Sequence, residues 1–241
     1  MLHTRVVFAV LATLVALGAT MAPASADLTD TFDNNVNLGT WRVTFNPNFL
    51  YQIEPSGGNP GAYLHAQVST AVPTWFISNP ANNPFVGNYA AEGVTSFSFD
   101  MTISGGAQVP NRNMTLHLTT TLGTGDPALG IEAYSIGDDI SVFPVGWHSF
   151  LYPLNAASAT IPQGWVVTEG NGNPGTNADW HNLMTHIENV NMALGTPGFF
   201  YPNLGVWDLG LDNVRLTTVP GPGAAIVTML RAIFPFPRRR R

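Results

Sequence analysis

Hydrophobic and polar positions alternate along much of the chain between Asp27 and Thr218, with the period of two that sends successive side chains to opposite faces of a strand. From Val94 to Ile103, Phe97, Phe99, Met101 and Ile103 share one parity, while Ser96, Ser98, Asp100 and Thr102 take the other, which predicts a half-buried strand. Asn113 to Thr119 repeats the pattern, with Met114, Leu116 and Leu118 facing in and His117 facing out. Trp147 to Leu154 sets His148, Phe150, Tyr152 and Leu154 on one side, and Val190, Met192 and Leu194 form another inward set. Near the end of this region Trp207, Leu209 and Leu211 share a parity that Val214 and Leu216 reverse, so one bulge near Asp212 and Asn213 returns both sets to the core. Gly-rich punctuation such as Ser104-Gly105-Gly106 and Gly123-Thr124-Gly125-Asp126-Pro127 separates the strands. The expected fold is all-β, an antiparallel β-sandwich.

One segment breaks the period. Trp180, Leu183, Met184 and Ile187 fall at i, i+3, i+4 and i+7, with Thr176 or Asn177 placed to cap, so a short helix is expected near residues 177–187, covering one end of the sandwich.

Both ends read as addresses. His3 and Arg5 precede an apolar stretch from Val6 to Leu17, and Ala24-Ser25-Ala26 supplies a small-x-small cleavage pattern, which predicts a signal peptide over residues 1–26 and a mature start at Asp27. At the other end Val219-Pro220-Gly221-Pro222-Gly223 leads into a mostly apolar run to Phe236, then Pro237 and four arginines. That order, over residues 219–241, resembles a PEP-CTERM sorting signal, in a degenerate form with Gly221 in the Pro-x-Pro motif and Arg231 and Pro235 interrupting the apolar run. The resemblance implies an exported protein of the bacterial envelope, cell surface or medium, with transient membrane association through the tail. Residues 27–218 are left as a single domain.

Charge sharpens this picture. All fifteen acidic residues fall between Asp27 and Asp212, and the domain holds three basic residues, Arg42, Arg112 and Arg215, a formal charge of −12. A phosphate backbone requires clustered Lys or Arg, and the chain has no lysine, so nucleic acid is excluded as a partner. The absence of cysteine removes disulfide scaffolds and thiol catalysis.

Candidate chemistry is sparse. No Gly-x-Ser-x-Gly elbow and no dinucleotide-binding glycine fingerprint occurs. His181 and His186 are five apart and do not share a helix face. Carboxylate pairs such as Glu54 with Glu92, or Glu132 with Glu169, keep a glycan-active hydrolase open as the alternative function. Calcium accepts hard oxygen ligands from irregular loops. Pairing of the first and last strands would bring Asp33 beside Asp212 and Asn213, the expected calcium ligands.

Glycan-binding sandwiches place aromatic rings against the apolar face of a sugar beside amide and carboxylate partners. Trp75 and Trp165 adjoin Pro- and Gly-rich loops and are expected to be exposed, with Asn171, Asn173 and Asp179 as the polar rim. Trp41, Trp147, Trp180 and Trp207 lie in periodic segments and are assigned to the core.

The segment Gly57-Gly58-Asn59-Pro60-Gly61-Ala62-Tyr63-Leu64, then Gly87-Asn88-Tyr89 leading into Phe97-Ser98-Phe99-Asp100, resembles the laminin B type module (laminin domain IV). Gly146-Trp147 and the closing Leu211-Asp212-Asn213-Val214 are similar to strands of bacterial secreted relatives of that module and of galactose-binding-like jelly rolls. The resemblance implies a β-sandwich used for extracellular binding or structure, without catalytic residues. The expected function is therefore non-enzymatic, the binding of an extracellular polysaccharide or matrix component, with a neutral or weakly acidic glycan as ligand.

Overall fold

A computed structural model describes residues 26–44, 50–104, 112–121, 130–140, 145–198 and 205–219. The candidate leader up to Ser25 and the candidate sorting tail from Pro220 lie outside the described residues. Asp27 to Thr217 form one unit.

Twelve strands are described: β1 (Leu28–Asp30), β2 (Trp41–Val43), β3 (Tyr51–Gly58), β4 (Gly61–Thr70), β5 (Thr74–Ile77), β6 (Val94–Ser104), β7 (Asn113–Thr120), β8 (Ile131–Asp139), β9 (Trp147–Pro153), β10 (Trp165–Glu169), β11 (Asn189–Leu194) and β12 (Gly205–Thr218). They form two six-stranded sheets. The first runs β3-β4-β12-β6-β9, with β1 added beside the C-terminal half of β12. The second runs β10-β8-β7-β11-β5-β2. Every described pairing is antiparallel, and the architecture is a jelly-roll sandwich.

The alternation produces this packing directly. Phe97, Phe99 and Met101 of β6, with Leu64, Ala66 and Val68 of β4, bury the inner face of the first sheet. Met114, Leu116 and Leu118 of β7, with Val190 and Met192 of β11, answer from the second. Each such side chain taken fully out of water contributes about 1.5–3 kcal/mol, so the two apolar faces hold the sheets together. On β12, Trp207, Leu209 and Leu211 and then Val214 and Leu216 are all buried, and the parity changes where Asn213 takes φ 48°. This is the expected bulge, placed so that β12 pairs with β4 before it and β1 after it.

Two helices flank the sandwich, α1 (Tyr89–Glu92) and α2 (Asn177–Thr185). Thr176 and Asp179 form a reciprocal capping box on α2, which satisfies two N–H groups that the first turn leaves without intrahelical partners. Trp180, Leu183 and Met184 of α2 face β7, β8 and β10 and are buried. Ile187 lies past the helix, bridged to Gly87. Among the described residues no helix is long and apolar enough to cross a membrane.

Candidate functional site

The outer face of the second sheet is formed by the residues that alternate with its buried ones, and strand register lines six of them into a row. Val166 of β10 lies opposite Tyr134 of β8, Tyr134 opposite His117 of β7, and His117 opposite Asn191 of β11. Asn191 in turn lies opposite Phe76 of β5, and Phe76 opposite Arg42 of β2. Directly opposed residues project from the same face, so the row carries two aromatic rings, an imidazole, an amide and a guanidinium across the full width of the sheet. Strand spacing sets its repeat at about 4.8 Å. A second row runs beside it through Thr168, Glu132, Thr119 and Asn189.

The two rows are tied together at their centre. His117 Nδ1 is 2.5 Å from Glu132 Oε1, and the His117 and Tyr134 rings lie 5.9 Å apart at 34°. A cleft of about 810 Å3 opens over the second row and the near end of the first. Its floor includes Thr119, Glu132 and Tyr134, and its walls come from Glu169 at the end of β10, Gly170 after it, Glu188 before β11, and Pro197 and Gly198 in the loop after β11. A depression of about 310 Å3 over His117 and Asn191 shares the Pro197–Gly198 wall, so the two hollows continue along the same face.

The carboxylates of the cleft are held in position. Thr121 donates its backbone N–H and its hydroxyl to Glu188 Oε2, both at 2.6 Å. Asn171 and Asn173 donate their amides to Glu169 Oε2 at 3.2 and 3.4 Å. Asn171 and Asn173, expected to form a polar rim, are exposed, and their amides engage Glu169. Asp179 has another role: its Oδ2 accepts the Thr176 backbone N–H and hydroxyl in the capping box.

The expectation of exposed loop tryptophans is corrected. Trp75 is 0% exposed and Trp165 7%. Each occupies an inward position of its strand. Trp165 is also covered by α2, its ring 5.5 Å from that of Trp180, and its indole N–H donates to Pro153 O at 2.7 Å. Neither ring is open to a sugar face. Trp147, assigned to the core, is instead half-buried on the outer face of the first sheet. There it meets the Tyr63 ring edge-on at 5.4 Å and donates its indole N–H to Gly57 O. The rings that do reach the second sheet's outer face, Tyr134 and Phe76, have no sequence signal of their own, because the row exists only through the register of six strands.

Asp33, Asp212 and Asn213, the expected calcium ligands, stand around the turn between β3 and β4. Asp212 Oδ2 accepts the Asn59 backbone N–H at 2.7 Å, and Asp33 Oδ1 accepts that of Ala62 at 3.5 Å. Gly58 and Gly61 make the approach possible, since a Cβ at either would stand 2.8 Å from Asp212 Oδ2 or 3.0 Å from Asp33 Oδ1. Asn213 directs its amide nitrogen to Asp100 Oδ2 and Asn59 O, serving as a brace with its donor side. Asp212 is fully buried, and burial, reinforced by Asp100 and Asp33, pushes its carboxyl up to about 6 against the backbone N–H bonds that lower it. Among the described residues no group of three His, Asp or Glu side chains is arranged to hold a metal ion, so a cation here would draw further ligands from backbone carbonyls.

No family model matches the chain, and no curated protein matches it. Among solved structures it is similar to a family 11 carbohydrate-binding module from Clostridium thermocellum in complex with a β-1,3-1,4-mixed-linked tetrasaccharide. That match has 12% identity over 82% of this chain and 98% of that one, with a TM-score of 0.45. An exo-β-agarase matches at 15% identity over 81% of this chain and 26% of that one, TM-score 0.44. The L4b domain of human laminin alpha-2 matches at 9% identity over 80% and 99%, TM-score 0.41.

Proposed function

We propose that the protein is an exported, non-enzymatic glycan-binding module whose binding site is the outer face of the second sheet. The observation that carries this reading is the row Tyr134–His117–Asn191–Phe76, in which two half-buried rings flank an imidazole and an amide, with Tyr134, His117 and Asn191 lining two adjoining hollows. A pyranose has an apolar face and a polar rim, and such a row offers a partner to each. Glu132, Glu169 and Glu188 already accept hydrogen bonds or pair with protein groups, a role suited to orienting hydroxyls. Ring stacking contributes about 0.5–1.5 kcal/mol per ring beyond burial, so two rings support binding in the millimolar to high micromolar range.

Affinity electrophoresis in polysaccharide gels tests the site. Tyr134→Ala and Phe76→Ala are expected to lose retardation while keeping the wild-type circular dichroism. Unchanged retardation in both variants would remove the face from consideration. Steady release of reducing sugar by the wild type would favour hydrolysis by the cleft glutamates.

Calcium is a subsidiary proposal. Asp33 and Asp212 would hold the ion at the β3–β4 turn, supported by the burial of Asp212 beside two further carboxylates. Bound ion would neutralise that charge and stabilise the fold by about 2.7 kcal/mol at a hundredfold excess over Kd. Melting in calcium and in chelator gives the measurement; an equal midpoint in both dismisses the ion.

A further inference from the structure

We infer that His117 and Asn191 read two neighbouring hydroxyls on an internal residue of the glycan, so that the site selects chains linked through O4 over chains linked through O3. The inference rests on the binding reading above and adds the ligand class to it. A pyranose linked through C1 and O4 keeps its O2 and O3 hydroxyls side by side, whereas linkage through O3 leaves no two adjacent hydroxyls on the ring. His117 and Asn191 stand directly opposite each other on β7 and β11, both half-buried, and both line the hollow of about 310 Å3. Direct opposition sets their Cβ atoms about 4.5–5.5 Å apart, a gap that two adjacent hydroxyls can bridge. Val72, Ala193 and Pro197 line the same hollow, and the Thr74 hydroxyl there is turned to Val72 O. Among the described residues the Asn191 amide has no hydrogen-bond partner, so its donors and its acceptor are left for a ligand.

Glu132 decides what the imidazole offers. An ionised carboxylate can only accept, so its 2.5 Å contact assigns the ring hydrogen to Nδ1 and leaves Nε2 with a lone pair. Neutral His117 therefore meets the ligand as a fixed acceptor, and a glycosidic oxygen, which has no hydrogen to give, cannot satisfy it. Asn191 carries both donor and acceptor and can take the neighbouring hydroxyl in either sense. A hydroxyl that donates to Nε2 becomes a better acceptor for its neighbour, which strengthens the chain of bonds from the imidazole to the amide. Glu132 acts through His117 and is a positioning residue. Tyr134 and Phe76 stand on either side of the His117–Asn191 pair, about 14 Å apart over three strand spacings. The pair thus lies under the middle of a chain resting on both rings, where an internal residue is read.

The test is titration calorimetry of the full chain with tetramers of β-1,4-linked glucose, β-1,4-linked xylose and β-1,3-linked glucose, at about pH 8.5, above the ordinary imidazole value of about 6.5. Both 1,4-linked tetramers are expected to bind about tenfold more tightly than the 1,3-linked one, the size of one hydrogen bond left unmade. His117→Ala and Asn191→Ala are each expected to remove most of that preference, weakening the 1,4-linked tetramers about five- to tenfold while keeping the wild-type circular dichroism. Nitrogen NMR of the imidazole is expected to show Nδ1 protonated and Nε2 bare in the wild type. In Glu132→Gln it is expected to show a mixture of the two tautomers, with affinity for the 1,4-linked tetramers lowered about two- to threefold as the competent form is diluted. A wild-type ring protonated at Nε2 would overturn the acceptor and the inference with it. Equal affinity for all three tetramers, abolished by Tyr134→Ala, would overturn the hydroxyl-pair inference and leave the glycan-binding reading standing. Tighter binding of the 1,3-linked tetramer, or an unaltered preference in both alanine variants, would do the same. Failure of every tetramer to bind would end both.

Discussion

The guanidinium of Arg112 lies 4.8 Å above the Trp207 ring inside the sandwich and donates to the backbone carbonyls of Ala71 and Leu194. A buried arginine is tolerable here because the indole face and the carbonyls of Ala71 and Leu194 replace its hydration. Ala71 directly follows β4 and Leu194 ends β11, so one side chain ties the end of a first-sheet strand to a strand of the second.

Arg112→Ala is therefore expected to lower stability by about 2–5 kcal/mol, from two carbonyls losing a donor and from the cavity left against Trp207. Arg112→Lys keeps the charge but loses the planar fork, and it is expected to recover only part of the loss. Urea midpoints of the two variants check the order. Wild-type stability in the alanine variant would show that the contact carries no weight.

Trp75→Ala and Trp165→Ala are expected to cost about 3–5 kcal/mol each, the range for emptying a core tryptophan site. Tyr134→Ala is expected to stay within about 1 kcal/mol of wild type while losing ligand retention. Paired denaturation and retardation measurements separate the two classes. A stable Trp75→Ala protein with weakened retention would reverse the assignment of the site.

The raised carboxyl of Asp212 has a definite sign in stability. Folding lifts its value from near 3.8 to about 6, so the folded state binds a proton that the unfolded state has released. The associated stability is fully present below about pH 4 and is lost as pH rises through about 6. Asp30, buried and also raised, chiefly by desolvation, acts in the same direction. In chelator, Asp212→Asn is expected to flatten this decline relative to wild type. Parallel stability profiles for the two proteins between about pH 4 and 6 would contradict the shift.

Gly210 is the floor on which Tyr63 and Trp147 meet. A Cβ there would stand 2.6 Å from Thr102 Cγ2 and 2.9 Å from both Trp147 Cη2 and Tyr63 Cδ2. Gly210→Ala is expected to displace the pair at a cost of about 1–3 kcal/mol, and tryptophan fluorescence should report the change at Trp147. An unshifted spectrum with full stability would mean that the rings yield freely.

Parity along β6, β7, β9, β11 and β12 is a local property of the sequence, and it placed the core of both sheets, the bulge at Asn213 and the outward turn of His117. Capping signals did the same for α2. The position of Trp165 was not legible, because what buries it is α2, whose contact with β10 is non-local. The face row was hidden for a related reason. Arg42, Phe76, His117, Tyr134, Val166 and Asn191 belong to six strands, and only the pairing order makes them neighbours. The convergence of Asp33 and Asp212 was legible because a single assumption, that the first strand pairs with the last, carries most of it.

That same pairing governs how the module bears load. Any chain continuing past Thr218 pulls on β12, and β12 is interior to its sheet, flanked by β4, β1 and β6. Tension from that end acts along the strand, so rows of hydrogen bonds on both of its sides must slide together before it yields, and none can be peeled away singly. A tether at this terminus would grip the domain by a strand hydrogen-bonded along both sides, leaving the second sheet outside the line of force.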